Sequence, residues 1–183
     1  PAMTLTTFRD PFQQSLLLAQ NWLDQGTCDA VLVGCVEECG PVLEYVVAEK
    51  LTLAERDVIP FFAGGTPAVI PGEGAVFFLL TRSETSHEGV EIERIGKTSD
   101  VAPDLWVVDF ESSTLPESGL VGCWSHVTGS SPLSSAVSCA AGELMIGNET
   151  VYPATSLLDL EPFAPRRIGL AGTGGLSIYL GRS

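Results

Sequence analysis

The sequence predicts an α/β fold, and three observations carry that prediction. Pro71-Gly-Glu-Gly-Ala-Val-Phe-Phe-Leu-Leu-Thr-Arg82 is a Gly-punctuated turn that feeds an unbroken apolar run, Ala75 to Leu80. A run rich in Val, Phe and Leu suits a strand covered on both faces better than an alternating, half-wet one. Ala171-Gly-Thr-Gly-Gly-Leu-Ser-Ile-Tyr-Leu-Gly-Arg182 repeats the device: Gly-rich turn, apolar strand, terminal Arg. The stretch from Asp10 to Gly34 reads as a helix followed by an apolar strand of the parallel type, the succession from which α/β proteins are built. The two apolar strands are expected at the centre of a sheet core. They divide the chain into unequal halves, 4–83 and 84–183, each ending in one of them.

Taken in order, the elements have local reasons. Phe12, Leu16, Ala19, Trp22 and Leu23 recur at helical spacing, Asp10 is placed to cap with Pro11 at the first helical position, and Gly26 stops the run. Leu16-Leu17-Leu18 makes that helix apolar well around its cylinder, so it is expected to be buried. Asp29 to Gly34 is a short strand whose end carries Cys35-Val-Glu-Glu-Cys39, and 42–53 reads as a second helix. Residues 56–71, with Pro60, Gly64, Gly65 and Pro67, read as loop or short extended pieces. After the first apolar strand, 83–88 is a polar turn, 89–95 an alternating strand, and 104–110 an apolar strand with a polar exit at 111–117. Pro132 to Met145 is a helix of Ser, Ala, Cys and Gly, residues that let another backbone come close, and Gly147-Asn148 closes it. Val151 begins an extended segment, and 157–165 is an acidic connection to the last strand.

Composition narrows the function classes. In 183 residues, 45% are hydrophobic and 17% charged, which suits a large covered core in one domain or two intimately packed halves. Nine basic against twenty-three acidic residues give a net charge of −14. Nucleic acid is not expected as a partner, because phosphate neutralisation needs clustered Lys and Arg and only Arg166-Arg167 are adjacent. An acidic membrane surface would repel the chain, and no apolar segment approaches the roughly 20 residues that span a bilayer. Five cysteines (Cys28, Cys35, Cys39, Cys123 and Cys139), an odd number with no signal-like start, point to a reducing cytoplasmic setting. With only His87 and His126 to complete a site, no metal and no cofactor is expected. Pro1-Ala2 before Met3 resembles an expression scar.

The order of parts is itself informative. A buried helix closed by Gly, then Cys28-Asp-Ala-Val-Leu-Val-Gly34, Gly72-Glu-Gly-Ala75, Val127-Thr-Gly-Ser-Ser131 with its small-residue helix, and Gly172-Thr-Gly-Gly175 with a last strand resembles the β-ketoacyl synthase family. The resemblance spans most of the chain and implies the thiolase-like fold, a layered α-β-α-β-α arrangement of two related halves. Complete members are much longer, so the N-terminal half is expected to be incomplete, lacking a strand and helix that would precede Thr4.

The resemblance also implies three catalytic positions, and this sequence fills none of them as the family does. A Cys at the start of the buried helix takes the acyl group as a thioester; the matching residue is Arg9, which cannot be a nucleophile. The first His lies in a loop that here reads Glu111-Ser112-Ser113. The second follows a Gly, and here Gly129 precedes Ser130, while the family's nearby Lys matches Ser125. Decarboxylative condensation then lacks its nucleophile and its imidazole donors. Cys35, Cys123 and Cys139 are better read as apolar filler than as substitutes, and His126 as a structural His. Arg9 and Glu111 are candidates for an ion pair across the former pocket.

Three readings follow from the resemblance. One is a catalytically silent subunit, similar to a chain-length factor, that forms a homo- or heterodimer with a ketosynthase-like partner. Another is a stand-alone protein holding an acyl ligand or other small molecule in the vestigial pocket of Arg9, Glu111, Ser112, Ser113, Ser125 and Ser130. The last is an enzyme with replaced chemistry using Glu111, Ser112, Ser113, Ser130 and His126. Because acyl carrier proteins are acidic, a chain this acidic leaves carrier docking to its partner.

Overall fold

Helix α1 (Pro11–Asp24) forms where the apolar spacing and Pro11 place it. Its buried stripe is Phe12, Gln13, Leu16, Ala19 and Leu23, and Gly26, at φ 65°, ends it in the left-handed conformation that glycine adopts at little cost. The Leu16-Leu17-Leu18 run is not buried all round: Leu17 faces solvent, and Leu18 is half-buried. The computed structural model describes residues 1–7, 10–42, 44–45, 72–82, 89–97, 102–108, 119–124, 133–152, 163–172 and 174–182. The expected loop at 56–71, the polar turn at 83–88 and the strand exit at 111–117 lie outside these residues, as does most of the expected helix at 42–53.

Strand β1 (Ala30–Glu37) runs past the expected end at Gly34 and pairs with β2 (Gly74–Thr81), not in parallel but antiparallel, with Leu32 opposite Leu79 and Gly34 opposite Phe77. This is a separate two-stranded sheet. The remaining strands, β3 (Val90–Gly96), β4 (Leu105–Val108), β5 (Leu120–Gly122), β6 (Arg167–Ala171) and β7 (Ser177–Arg182), form a mixed sheet in the order β3-β7-β6-β4-β5. The last apolar strand, β7, therefore lies inside the sheet, between β3 and β6, as its sequence suggests. Its counterpart β2 does not: it lies in the other sheet, with alternating exposed and half-buried residues.

Strands β5 and β6 escape a sequence reading for different reasons. A three-residue strand carries too little pattern to register. In β6, Arg167 and Gly169 interrupt the apolar run, and Gly169 is required because the Trp106 ring lies over it: a Cβ there would come 2.7 Å from the indole. That indole also meets the Tyr179 ring edge-on at a centroid distance of 5.7 Å.

Helix α2 (Ser134–Gly147) packs on β6 and β7 and reaches α1 and β2. With α1 against β1, the two helices form a layer between the two sheets. The core is this layer's contents: Phe12, Leu16, Ala136, Cys139, Met145 and Ile146 meet Leu105, Val107, Ile168, Leu170, Ile178 and Leu180. The small residues of α2 serve the close approach expected of them, since a Cβ on Gly142 would stand 3.1 Å from Leu180 Cδ1 and 3.4 Å from Ile168 Cγ2. Arg82 ties the two-stranded sheet to the end of α1, donating to Leu23 O at 3.4 Å and pairing with Asp29 at 3.0 Å.

Candidate functional site

The four buried polar or charged side chains among the described residues are Asp10, Gln13, Ser134 and Ser177. They cluster by position where the start of α1, the start of α2 and the β6–β7 turn converge. Asp10 has the backbone position of an N-cap, at φ 49° and ψ 44°, and its carbonyl accepts the Gln14 N–H at 3.0 Å. Its carboxylate does not cap its own helix. Oδ1 instead accepts the Gly174 N–H at 2.8 Å, and Oδ2 accepts the Leu176 N–H at 3.2 Å. A residue near one end of the numbered sequence is thereby bonded to the Gly-rich turn near the other.

The fit around the turn is tight. A Cβ on Gly172 would lie 2.7 Å from Asp10 Oδ1 and 2.7 Å from Gln13 Nε2, so only glycine leaves room for both side chains. Gly175, at φ 91°, completes the turn, with its N–H on Gly172 O at 3.3 Å. Gln13 Nε2 donates to Ser135 Oγ at 3.2 Å, which joins α1 to α2, while its buried Oε1 accepts no hydrogen bond among the described residues. Chemically, this is a carboxylate held by two backbone amides at the positive end of a helix, an arrangement that accommodates an anion without a cationic side chain.

All six residues matched to the family's pocket, Arg9, Glu111, Ser112, Ser113, Ser125 and Ser130, lie outside the described residues, as do His87 and His126. Neighbours of Arg9 and Ser130 do reach this junction: Asp10 follows Arg9, and Ser134 and Ser135 begin the helix after Ser130. In the sequence Asp10 stands out only as a cap and Gly172–Gly175 only as a turn. The available signal is their chemistry, a carboxylate beside the matched catalytic position and a Gly-rich turn that can offer N–H groups.

Cys123 and Cys139 are buried, and Cys28, Cys35 and Cys39 are half-buried. All five are thiols, with no disulfide among the described residues. Burial, and secondarily the Glu143 charge, pushes the Cys139 thiol up to about 12, and burial with the Glu37 charge raises Cys35 as well. Neither is a thiolate at neutral pH, so neither is an activated nucleophile. Among the described residues no group of three His, Cys, Asp or Glu side chains could hold a metal ion, and no helix is long and apolar enough to cross a membrane.

Two cavities lie away from the junction. A cleft of about 610 Å³ is lined by Arg166, Arg167, Arg182, Glu93, Asp104 and Glu149, with Ala164 and Pro165. In it Arg167 binds Glu93 in a bidentate pair at 2.5 and 2.8 Å, Arg182 pairs with Glu149, and Asp104 accepts the backbone N–H groups of Arg166 and Arg167. A groove of about 450 Å³ between α1, β2 and β3 is apolar at Leu16, Leu23, Leu80, Val90 and Ile92, with a polar rim that includes Arg82 and Glu91.

The architecture has parallels in solved structures. The whole chain superposes on the oxazolomycin ketosynthase domain of Streptomyces albus JA3453 with a TM-score of 0.71 at 15% identity, covering 46% of that domain. It matches the ishigamide ketosynthase/chain length factor at 0.73 and 14% identity, covering 61% of that chain. Against the module 6 ketosynthase of the bacillaene synthase from Bacillus subtilis 168, 96% of this chain and 45% of that one align at 0.66 and 15% identity. The chain thus spans about half the length of the ketosynthases it matches. No protein-family model and no curated protein matches it in sequence. By its architecture, then, the chain has the thiolase-like fold that the ketosynthases share.

Proposed function

We propose that this chain is a catalytically silent, ketosynthase-like component of fatty-acid or polyketide-type assembly, standing beside an active ketosynthase as a chain-length factor does. The observation that carries the reading is the outer face of the β1–β2 sheet. Val31, Val33, Val76, Phe78 and Leu80 turn towards the core, but the opposite face is also apolar and lies open: Leu32, Val36, Phe77 and Leu79 are 59–70% exposed. A contiguous apolar face of this kind marks an interaction surface. Its occupant in this reading is a ketosynthase-like partner. Similarity in fold to a ketosynthase/chain length factor supports the same conclusion, as does Arg9 in place of the nucleophile. Arg9, Glu111, Ser112, Ser113, Ser125 and Ser130 then line a pocket without condensing chemistry, and the partner supplies the carrier contacts.

The test is purification of the native gene product from its own host, followed by mass identification of what stays bound. A ketosynthase retaining its Cys and His residues should co-purify in stoichiometric amount, and Leu32→Glu combined with Leu79→Glu should release it. Recovery of the folded protein without such a partner would overturn the reading. The apolar groove between α1, β2 and β3 favours a second reading, a stand-alone binder of an acyl chain. Recovery with a bound fatty or polyketide acyl group, and no protein, would establish it.

A further inference from the structure

We propose that the cleft at the end of the mixed sheet remote from the β6–β7 turn binds a small phosphate monoester, held by Arg166 with Arg182 beside it. The strand register brings these two arginines together. Arg167 stands opposite Gly181, and the Arg182 N–H donates to Arg166 O at 3.2 Å, so the antiparallel pairing of β6 and β7 continues by one step and sets Arg166 opposite Arg182. Ile168, Leu170 and Leu180 meet Gly142 of α2, and strand alternation carries both arginines onto that same face. Like charges directly opposite one another weaken a strand pair. An anion between them removes that cost.

The three arginines of the cleft differ in what holds them there. Arg182 pairs with Glu149 just beyond the C-terminus of α2, where a cation is favoured. Arg167 is taken up by its bidentate bond to Glu93. Arg166 has no such partner. Its backbone is fixed on both sides, with the N–H on Asp104 Oδ2 at 2.8 Å and the carbonyl on Arg182, while its guanidinium makes no hydrogen bond or ion pair among the described residues. A pinned backbone therefore presents an unspent planar fork of N–H donors to a cleft of about 610 Å³. That volume lies within the roughly 300–1,000 Å³ of small-molecule sites, so there is room for an organic body against Ala164 and the buried Pro165. The phosphate class follows from charge. Two guanidinium groups face the single Glu149 carboxylate, and a phosphate monoester, with a charge of about −1.5 to −2 and three terminal oxygens, can engage both forks at once. The Glu149–Arg182 pair is 55–59% exposed, so sharing Arg182 with a ligand costs little. This site does not depend on whether a ketosynthase partner exists.

Phenyl phosphate is the probe, added to the whole chain at about pH 8, where it is a dianion, with ionic strength held constant by chloride. It should raise the melting temperature saturably and shift the guanidinium Nε–H resonances of Arg166 and Arg182. Arg166→Gln, at an exposed position, should keep the far-ultraviolet circular dichroism of the wild type and bind the probe about tenfold or more weakly. Glu149→Gln, which removes the internal competitor for Arg182, should bind it more tightly. Lys97→Gln, beyond the opposite end of β3, should bind as the wild type does. A wild type whose melting temperature and resonances respond to ionic strength alone overturns the proposal, as does saturable binding that Arg166→Gln leaves unchanged. Acetate matching phenyl phosphate in affinity overturns the assignment to a phosphate monoester.

Discussion

Cys139 and Asp10 are both polar groups removed from water, and the fold treats them oppositely. Asp10 gives both carboxylate oxygens to backbone donors, whereas Cys139, packed into the apolar core, stays a neutral thiol with its ionisation pushed from 9.0 to about 12. A group whose ionisation is raised by folding contributes stability that is complete below the unfolded value and fades as pH rises towards the folded one. Between pH 9 and 12 the unfolded chain loses this proton first, so stability falls by up to about 1.4 kcal/mol per pH unit from this residue. Urea denaturation of the wild type and Cys139→Ala at about pH 8, 9 and 10 checks it: the wild type's advantage should shrink steadily as the unfolded thiol titrates. Burial of Cys139 is legible from its place among Ala and Ser in a small-residue helix. The role of Asp10 is not, because the same Asp-Pro pair that signals a cap says nothing about donors 164 residues away.

At the scale of elements, helices are the most legible parts and sheet partners the least. The spacing of Phe12, Leu16, Ala19 and Leu23 specifies α1 whatever surrounds it, since helix periodicity is local. Strand β2 is legible as a strand but not in its neighbours, because an apolar run does not record which sheet receives it or whether its second face is covered. Two glycines of α2 give contrasting expectations. Gly142 faces Leu180, Ile168 and Leu170, so Gly142→Val should destabilise by about 1–3 kcal/mol through overpacking. A Cβ added at Gly147 would meet no atom within 4 Å, so Gly147→Ala should stabilise by about 0.4–1 kcal/mol by restricting the unfolded chain. Thermal or urea unfolding of the two variants should move in opposite directions.

For the whole molecule, a net charge of −14 and a bare apolar sheet face pull solubility in opposite directions. The isolated chain is expected to self-associate through that face. Sedimentation velocity across a concentration series should show it, and Leu32→Glu with Leu79→Glu should return the protein to monomer; association unchanged by the pair would place the contact elsewhere. The layered α/β architecture is readable from the order of Gly turns and apolar strands. The six positions matched to the family's pocket are readable only as residue types, since a resemblance in the order of Gly turns and apolar strands carries no geometry for the side chains between them.

The placement of β7 bears on how the molecule is made. β3 waits for β7 as its neighbour until the last strand is made, β6 pairs with β7 on one side, and the Asp10 carboxylate finds its donors on the turn just before it. A nascent chain halted before residue 177 has an unpaired β3 and a sheet without the strand that joins β3 to β6. Of the described elements, the helix synthesised first therefore gains the contacts of its first turn with the β6–β7 turn, and the mixed sheet gains its joining strand, only once residues 174–182 have been made.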